Sequence, residues 1–315
     1  MWLLLKYTLL YAAVLMLVAL GGMFSERSGV INIALEGIMV IGGLMGVVMI
    51  NLMNAIGMPI FLAIVFSILA SAIAGMLYSS MLAFSAINLK ADQTIGGTAL
   101  NLLATAVAMV IAKRINGSDS PKIIYSTNSN AWFNASHFSF NVGPLTLNWF
   151  LLITVAAVAL SWFILYRSRF GMRLMACGEH PQAADSVGIN VYKMRWAGVL
   201  MSGALGGIGG MAYIVPAVGD WNFEMGVAGM GFLALAVMIF GQWKPLNIAG
   251  AAVFFAVFRA MANIYDSIPM LATLHWPKEI YNMMPFIASM VVLAFTSKKS
   301  RAPKAEGIPY DKGSR

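Results

Sequence analysis

Five polar side chains that could bind a solute stand within long apolar stretches of the 315-residue chain: Asn32, Glu36, Gln93, Asn101 and Arg259. Asn32 and Glu36 are four residues apart, so on a helix they share one face. Side-chain amides both donate and accept hydrogen bonds, which suits Asn32, Gln93 and Asn101 to a neutral polar molecule. We therefore predict that these residues lie at or near a path for such a solute.

Glu36 and Arg259 also allow a structural interpretation, which we favour for both. A charge within an apolar bundle is costly and usually faces the bundle interior, a partner or a water-filled path. Glu36 can cap a neighbouring backbone segment or pair with Arg259, and Arg259 can bind backbone carbonyls. Near Gln93, Asp92 or Thr94 can equally serve only as a helix cap.

The sequence lacks the motifs of known catalytic and metal sites. Its three histidines, His137, His180 and His275, fall in separate segments, and no HExxH, CxxC or GxSxG motif occurs. A GxxxxGK(S/T) phosphate loop is also absent, so the chain cannot bind ATP by that route. We expect no catalytic residue, no metal and no cofactor in this chain, and any ATPase to be a separate subunit.

The elements that must position these side chains are apolar helices long enough to cross a membrane. The chain is 60% hydrophobic and only 10% charged, whereas soluble domains are about 25% charged. A spanning helix needs about 20 mostly apolar residues, and the apolar runs are continuous rather than alternating. We therefore predict an all-α polytopic membrane protein. No Asp, Glu, Lys or Arg occurs in residues 7–25, 37–89, 93–112, 196–219, 225–243 and 280–297.

The apolar runs also predict where the spans lie. Eight spans can be placed on these runs, and one more span before Arg167 gives nine in all. Nine spans put the N-terminus outside the cell. A re-entrant helix around residues 85–97 would change the parity and put the N-terminus inside, so we predict about 8–10 spans and leave the side of residue 1 open. The other eight spans are placed at residues 7–24, 30–52, 59–84, 94–112, 196–217, 226–243, 245–263 and 280–297.

Basic residues predict on which side of the membrane the connecting segments lie. The net charge is +8, and eleven of the twenty basic residues lie in residues 167–195 and 298–315. Lys and Arg flank spans on the cytoplasmic side, so this charge indicates topology and not nucleic acid binding. Both segments are predicted to be cytoplasmic, with residues 298–315 forming a flexible basic tail. Residues 115–148 are predicted to form an outside loop.

The segment between residues 167 and 196 contains a short helix with its own start and stop. Pro181 suits a first helical turn, good helix formers follow it, and Gly188 favours a helix end. A helix of about two turns is not stable alone, so it must pack against something. From the residues alone, contact with another protein and packing on the chain's own spans are both open.

Four motifs stand in order along the chain: Gly-Val-Ile-Asn-Ile-Ala-Leu-Glu-Gly at 29–37, Gly-Gly-Thr-Ala-Leu-Asn at 96–101, the segment 171–190 with Gly-Glu-His-Pro at 178–181, and Gly-Phe-Leu-Ala-Leu-Ala at 231–236 leading to Gly-Gln-Trp-Lys-Pro at 241–245. Together, over roughly residues 20–290, they resemble the motifs of ABC importer permeases for nucleosides and simple sugars. The family's coupling segment usually reads Gly-Glu-Asn-Pro, and here His180 replaces the asparagine.

This resemblance implies a type II-like importer permease fold, a role and a set of partners. The chain would be the smaller permease subunit of a pair in the bacterial cytoplasmic membrane, with residues 1–297 as its transmembrane domain and residues 171–190 as its coupling segment. The expected partners are an ABC ATPase subunit, a second permease subunit, an extracytoplasmic substrate-binding lipoprotein and the lipid bilayer. The residues expected to couple to the ATPase are Gly178, Glu179, His180, Pro181, Ala183, Ala184, Val187 and Gly188.

Two other classes of protein remain as alternatives. An ion-coupled secondary transporter or channel acting without an ATPase needs carboxylates within its spans, and Glu36 is nearly the only candidate. An integral membrane enzyme needs clustered His, Asp or Cys near one interface, which the sequence does not show. The lone Cys177 excludes a disulfide within the chain.

Overall fold

Apolar α-helices make up most of the structure, a computed structural model that describes residues 2–117, 119–124, 138–142, 145–216, 220–267, 273, 277–296 and 301–313. A π-helical turn, Phe84–Asn88, extends the third helix, and two antiparallel strand pairs, β1 with β4 and β2 with β3, lie between helices. The helices are α1 (Trp2–Arg27), α2 (Leu35–Ala55), α3 (Ile60–Ala83), α4 (Gln93–Asn116), α5 (Trp149–Arg167), α6 (Arg169–Glu179), α7 (Pro181–Ser186), α8 (Val191–Ile214), α9 (Met230–Phe240), α10 (Pro245–Asn263) and α11 (Lys278–Thr296). The strands are β1 (Lys122–Ile124), β2 (Ser139–Val142), β3 (Leu145–Asn148) and β4 (Asp220–Asn222).

The predicted spans overlap these helices, but the spans predicted at 30–52 and 226–243 include residues that are not helical, because α2 begins only at Leu35 and α9 covers only Met230–Phe240. Helix α11 covers the span predicted at residues 280–297, and the all-α polytopic fold is confirmed. Within the described residues, eight stretches are long and apolar enough to cross a membrane, and α11 is not one of them: Trp2–Arg27, Leu35–Ala55, Ile60–Asn88, Gln93–Asn116, Trp149–Arg167, Val191–Ile214, Phe223–Phe240 and Pro245–Asn263.

One end of the bundle, called the α7 end below, carries α6 and α7. There the Gly178 carbonyl accepts a hydrogen bond from the Ala305 amide at 2.8 Å. The turn between α3 and α4 lies at the same end, because Lys90 pairs with Asp311 at 3.0 Å. Residues 89–92 therefore form the turn between two separate helical stretches, Ile60–Asn88 and Gln93–Asn116, each long and apolar enough to cross a membrane.

The opposite end of the bundle carries the strands and the start of α1. Lys6 borders a cavity that is also lined by Asn148 and Pro216, and Ile123 of β1 pairs with Trp221 of β4. The chain thus begins at the end opposite to α7, as the prediction with continuous spans requires.

Glycines allow α8 to pack closely against its neighbours. A Cβ atom added to Gly207 would overlap the Ser71 carbonyl oxygen of α3, and one added to Gly210 would overlap the Met39 carbonyl oxygen of α2. Small residues at such crossings let helix backbones approach each other within a membrane. These close crossings make α8 the central helix around which α1, α2 and α3 are arranged.

Two breaks in helical structure lie inside the bundle. Residues 28–34 connect α1 to α2 and are largely buried. The second break, residues 226–229, precedes α9 and has positive φ at Gly226 (+54°), Ala228 (+53°) and Gly229 (+75°). Helix α9 has only 11 residues, so it is about 16 Å long. Buried backbone outside regular structure must find its hydrogen-bond partners among side chains.

Residues 301–313 pack against the α7 end, whereas the composition of the tail predicts flexibility. Tyr310 is buried in an apolar cluster with Cys177, Ala184 and Val191. A small number of buried side chains anchors this segment. The segment is basic on average, so its composition alone does not indicate that these few residues are buried. Residues 125–137 of the predicted outside loop 115–148, which include His137, lie outside the described residues, as does His275.

Candidate functional site

The segment between α5 and α8 forms two short helices with a break at His180. Helix α6 begins after Ser168, whose hydroxyl accepts a hydrogen bond from the Gly171 amide at 3.1 Å. Helix α7 has Pro181 in its first turn and ends at Ser186, shortly before Gly188 at φ +85°. The predicted start and stop of the short helix are therefore both observed.

Helix α7 has one buried and one exposed side. Pro181 and Ala184 are buried against the chain, whereas Ala183 is exposed and Val187 is 74% exposed. Of the two alternatives left open by the sequence, packing on the chain's own bundle is observed for the buried face. The exposed face, which includes Ala183 and Val187, contacts none of the described residues closely enough to be buried.

Gly178 and Glu179 attach the segment to the end of α1. A Cβ atom on Gly178 would overlap the Arg27 carbonyl oxygen, so glycine permits this close approach. Nη1 of Arg27 lies 3.9 Å from the Glu179 carboxylate, and Nη2 donates to the Trp243 carbonyl at 3.0 Å. His180 is exposed at the break between the helices. These contacts link α6 and α7 to the end of α1 and, through Arg27, to the turn that follows α9.

Cys177 is buried beneath α7, in the cluster that also contains Ala184, Val191 and Tyr310. Burial raises the pKa of its thiol to about 11, an effect that the positive charge of Arg195 partly offsets. Because the thiolate is the reactive form, this cysteine is a packing residue with low reactivity.

The amides of Gln93 and Asn101 hold the break at residues 28–34. Oε1 of Gln93 accepts a hydrogen bond from the Ile31 amide at 2.7 Å. Nδ2 of Asn101 donates to the Ile33 carbonyl at 2.9 Å, and Oδ1 accepts from the Gly37 amide at 2.7 Å. These side chains supply hydrogen bonds that the interrupted helix cannot make for itself.

Asn32 lies within the same break and binds α8. Its Nδ2 donates to the Ser202 hydroxyl at 2.7 Å. Within the part of the chain that the structure describes, Oδ1 of Asn32 and Nε2 of Gln93 are buried atoms without a hydrogen-bond partner. An unsatisfied buried polar atom is costly, so these two atoms can accept and donate a hydrogen bond, respectively, when a solute or water is present.

Glu36 and Arg259 have separate partners. Oε1 of Glu36 accepts from the Gly229 amide at 2.8 Å, and Oε2 accepts from the Gly231 amide at 2.7 Å. Arg259 donates to the Tyr213 hydroxyl at 3.2 Å and lies 5.8 Å from the ring centre of Tyr11. Of the two structural alternatives for Glu36, the structure shows capping of a backbone segment. Among the described residues, the partners of Arg259 are a hydroxyl and an aromatic face and not the carbonyls or the carboxylate considered from the sequence.

Two buried charged residues at the α7 end were not singled out by the sequence. Arg195 is 1% exposed and donates to the Ile308 carbonyl at 2.9 Å. Glu26 accepts a hydrogen bond from the Trp243 indole at 2.6 Å. Their partners lie 113 and 217 residues away along the chain. Charged residues are common at the ends of spans, where they mark the side of the membrane. The positions of Arg195 and Glu26 in the sequence therefore did not indicate that their side chains are buried.

These features define a class of protein: a polytopic helical permease whose bundle presents a short helix with an exposed apolar face at one end. The chain belongs to the family described as branched-chain amino acid transport system / permease component, which matches residues 4–294. The resemblance drawn from the four motifs is confirmed.

Individual relatives cover nearly the whole chain. It is 40% identical to the guanosine ABC transporter permease protein NupQ of Bacillus subtilis, over 98% of this chain and 96% of the relative. It is 39% identical to the nucleoside ABC transporter permease protein NupC of Lactococcus lactis, over 96% of this chain and 95% of the relative. NupB, a second nucleoside permease of Lactococcus lactis, is 27% identical over 63% of this chain and 53% of its own length. No solved structure matches the chain significantly.

Proposed function

We propose that this chain is a permease subunit of an ATP-driven importer that carries a nucleoside into the cell. The similarity to two nucleoside ABC transporter permeases over nearly the full length of each chain carries the proposal. A nucleoside is uncharged and rich in hydrogen-bond donors and acceptors, which suits side-chain amides. A simple sugar shares that chemistry, and a test of the substrate must distinguish the two.

Helix α7 is the element that receives movement from a separate ATPase. It has six residues, too few for a stable isolated helix, and its buried face fixes it to the bundle. Ala183 and Val187 face outward and enter a groove on the ATPase. An apolar helix face inserted in a groove is a common mode of protein recognition, and the exposure of Val187 supports it here.

The remaining partners follow from the same proposal. A second permease subunit pairs with this chain, and the solute passes between the two. A substrate-binding lipoprotein delivers the solute from outside, and the α7 end, with the coupling segment and the C-terminus, faces the cytoplasm. The basic residues at that end support this orientation.

The path for the solute lies near the break at residues 28–34. The buried Oδ1 of Asn32 and Nε2 of Gln93 provide one acceptor and one donor without partners in the chain, and Asn101 positions the backbone between them. Glu36 and Arg259 hold the scaffold. A break in a helix beside polar side chains is where membrane transporters tolerate irregular backbone.

ATP drives transport by changing the populations of two arrangements of the permeases. A ligand shifts such an equilibrium only through unequal affinity for the two states. ATP binding favours the arrangement in which the ATPases are closed, and α7 carries that preference to α1 through Gly178 and Glu179. The loaded binding protein supplies the preference at the other side of the membrane. No covalent chemistry takes place in this chain.

The docking assignment is tested by changing the exposed face of α7 alone. Ala183→Arg and Val187→Asp place a charge where an apolar groove is expected, and Ala55→Arg is the matched control, because Ala55 is exposed at the end of α2 opposite to α7. Copurification of the ATPase and substrate-stimulated ATP hydrolysis are measured. We expect both to fall about tenfold or more for the α7 variants, the effect of losing about 1.4 kcal/mol of binding, and to stay unchanged for the control. Normal values for both α7 variants would exclude the coupling role.

The alternative, an ion-coupled transporter or channel, predicts transport by the purified chain alone. Glu36 was its principal candidate for an ion-binding carboxylate, and both of its oxygens accept hydrogen bonds from backbone amides. Solute uptake into vesicles that contain only this chain, driven by a proton or sodium gradient, would favour the alternative over the importer.

A further inference from the structure

Residues 301–313, called the C-terminal strap below, bind the coupling segment on one side. The Ala305 amide donates to the Gly178 carbonyl at 2.8 Å. Tyr310 packs edge-on against Tyr192 with ring centres 5.3 Å apart and lies in the cluster with Ala184 of α7. Lys312 lies 4.0 Å from the Asp185 carboxylate of α7. The strap therefore contacts both α7 and the residues just before it.

On its other side, the strap binds the elements that carry the predicted path residues. The Gly307 amide donates to the Gly29 carbonyl at 3.3 Å, at the start of the break between α1 and α2. The Asp311 carboxylate pairs with Lys90 at 3.0 Å, in the turn that leads to Gln93. The strap thus spans the distance from the coupling segment to the break and to the start of α4.

Glycine at position 307 allows the strap to pack against the break between α1 and α2. Its φ is +77°, which other residues rarely adopt, and an added Cβ would lie 2.7 Å from Cδ1 of Ile31. The Ile31 amide in turn donates to Oε1 of Gln93 at 2.7 Å. Arg195 fixes the next strap residue through the Ile308 carbonyl at 2.9 Å. A continuous series of contacts therefore leads from Gly178 through Ala305, Gly307 and Ile31 to Gln93.

We propose that the C-terminal strap is a positioning element that carries movement of the coupling segment to the break at residues 28–34 and to Gln93. This inference rests on the proposed function, because it requires that an ATPase moves α7. Energetic coupling between distant sites travels through packed and hydrogen-bonded neighbours that have two arrangements, and the strap joins the two sites directly. A strap that is loosened at Gly307 leaves the exposed face of α7 intact, so ATP hydrolysis continues while the solute path no longer follows it.

The test compares solute uptake with ATP hydrolysis in the complete transporter, reconstituted in vesicles with its ATPase, second permease and binding protein, and uses radiolabelled guanosine as the probe. Gly307→Ala strains the contact with Ile31. Asp311→Lys places like charges beside Lys90, and adding Lys90→Asp restores an opposite pair. Lys304→Ala, exposed within the same strap, is the control.

We expect uptake per ATP hydrolysed to fall about fivefold or more for Gly307→Ala and for Asp311→Lys, the lower range of measured coupling between sites. ATPase copurification and hydrolysis should remain, and Lys90→Asp should restore uptake in the Asp311→Lys background. Unchanged uptake per ATP in both variants would overturn the inference, and so would loss of the ATPase together with uptake, because the strap would then serve docking. If Gly307→Ala does not fold, the charge-exchange pair alone decides. Absence of ATP-dependent uptake in the unmodified complex would instead contradict the proposed function.

Discussion

The carboxylate of Glu36, in the first turn of α2, accepts a hydrogen bond from the amide of Gly231 at 2.7 Å, in the first turn of α9. These residues are 195 positions apart in the chain. The carboxylate lies at the N-terminus of a helix that begins inside the bundle, where the first backbone amides have no acceptor within the helix itself. Glu36 therefore joins the two halves of the bundle at the second break.

Removing this carboxylate should destabilise the protein in proportion to the hydrogen bonds lost. Glu36→Ala leaves two buried amides without acceptors and should cost about 2 kcal/mol or more. Glu36→Gln keeps one acceptor oxygen and should be intermediate. In thermal unfolding in detergent, the midpoint temperature should be highest for the wild type, lower for the Gln variant and lowest for the Ala variant. Equal midpoints for all three proteins would show that the cap contributes nothing to stability.

The close packing of α8 can be tested by comparing how alanine at two glycine positions changes the stability of the protein. A Cβ atom at Gly210 would overlap the Met39 carbonyl, whereas one at Gly250 of α10 would meet nothing within 4 Å. Gly210→Ala should destabilise the fold by about 1–3 kcal/mol, as overpacking does. Gly250→Ala should have an effect of no more than about 1 kcal/mol, within the range of helix propensity. If both variants unfold at the same temperature, the crossing of α8 with α2 is not as close as described.

The sequence predicted the elements whose signals are local. Most of the predicted spans, the start of α7 at Pro181 and its end before Gly188 follow from apolar runs, proline and glycine. Asp92 also caps α4, as one alternative held, because its carboxylate accepts hydrogen bonds from the Thr94 and Ile95 amides. These features depend on neighbours within a few residues, so a single sequence contains the information.

The partners of the polar residues could not be predicted, because they lie far away along the chain. Glu36 binds α9 and not Arg259, and Gln93 and Asn101 bind the break between α1 and α2. The packing of the C-terminal strap depends on Tyr310 reaching a cluster of residues from 177 to 191. Composition described that segment as a basic tail because its anchors are few. Local patterns do not specify such long-range contacts.

Cys177 provides a direct reporter of strap packing. Tyr310 covers the buried thiol, whose pKa is raised to about 11 by burial. A maleimide should therefore label Cys177 slowly at neutral pH in the unmodified protein. Tyr310→Ala should open the cluster and accelerate labelling, whereas Lys304→Ala should not. Rapid labelling of the unmodified protein would contradict the packed strap.

The packing of the strap should weaken as pH rises. Glu306 lies beside Glu26 and Arg27 of α1, and burial raises the pKa of Glu306 above its usual value, with Glu26 and Arg27 partly offsetting this effect. When the strap is released, the Glu306 carboxyl should have the ordinary glutamate pKa of about 4.3. Above that pH, ionisation of Glu306 therefore favours release of the strap. The loss in the free energy of strap packing grows with pH until the pH passes the raised pKa of Glu306 in the packed state, and it is constant above that pH.

Amide hydrogen exchange at Ala305 and Gly307, corrected for the chemical exchange rate at each pH, measures this effect. Protection should decrease with rising pH in the unmodified protein, and the dependence should be smaller in Glu306→Gln. Protection that increases with pH, or an identical dependence in the variant, would show that Glu306 does not control the strap.

The most direct measurement is the uptake of a radiolabelled nucleoside into vesicles that contain this chain, its ATPase, the second permease and the binding protein. Uptake should require ATP on the side of the membrane that α7 faces, should require every component, and should be lost with Val187→Asp. A labelled sugar should not replace the nucleoside. Nucleoside uptake by this chain alone, without ATP and driven by an ion gradient, would contradict an ATP-driven importer.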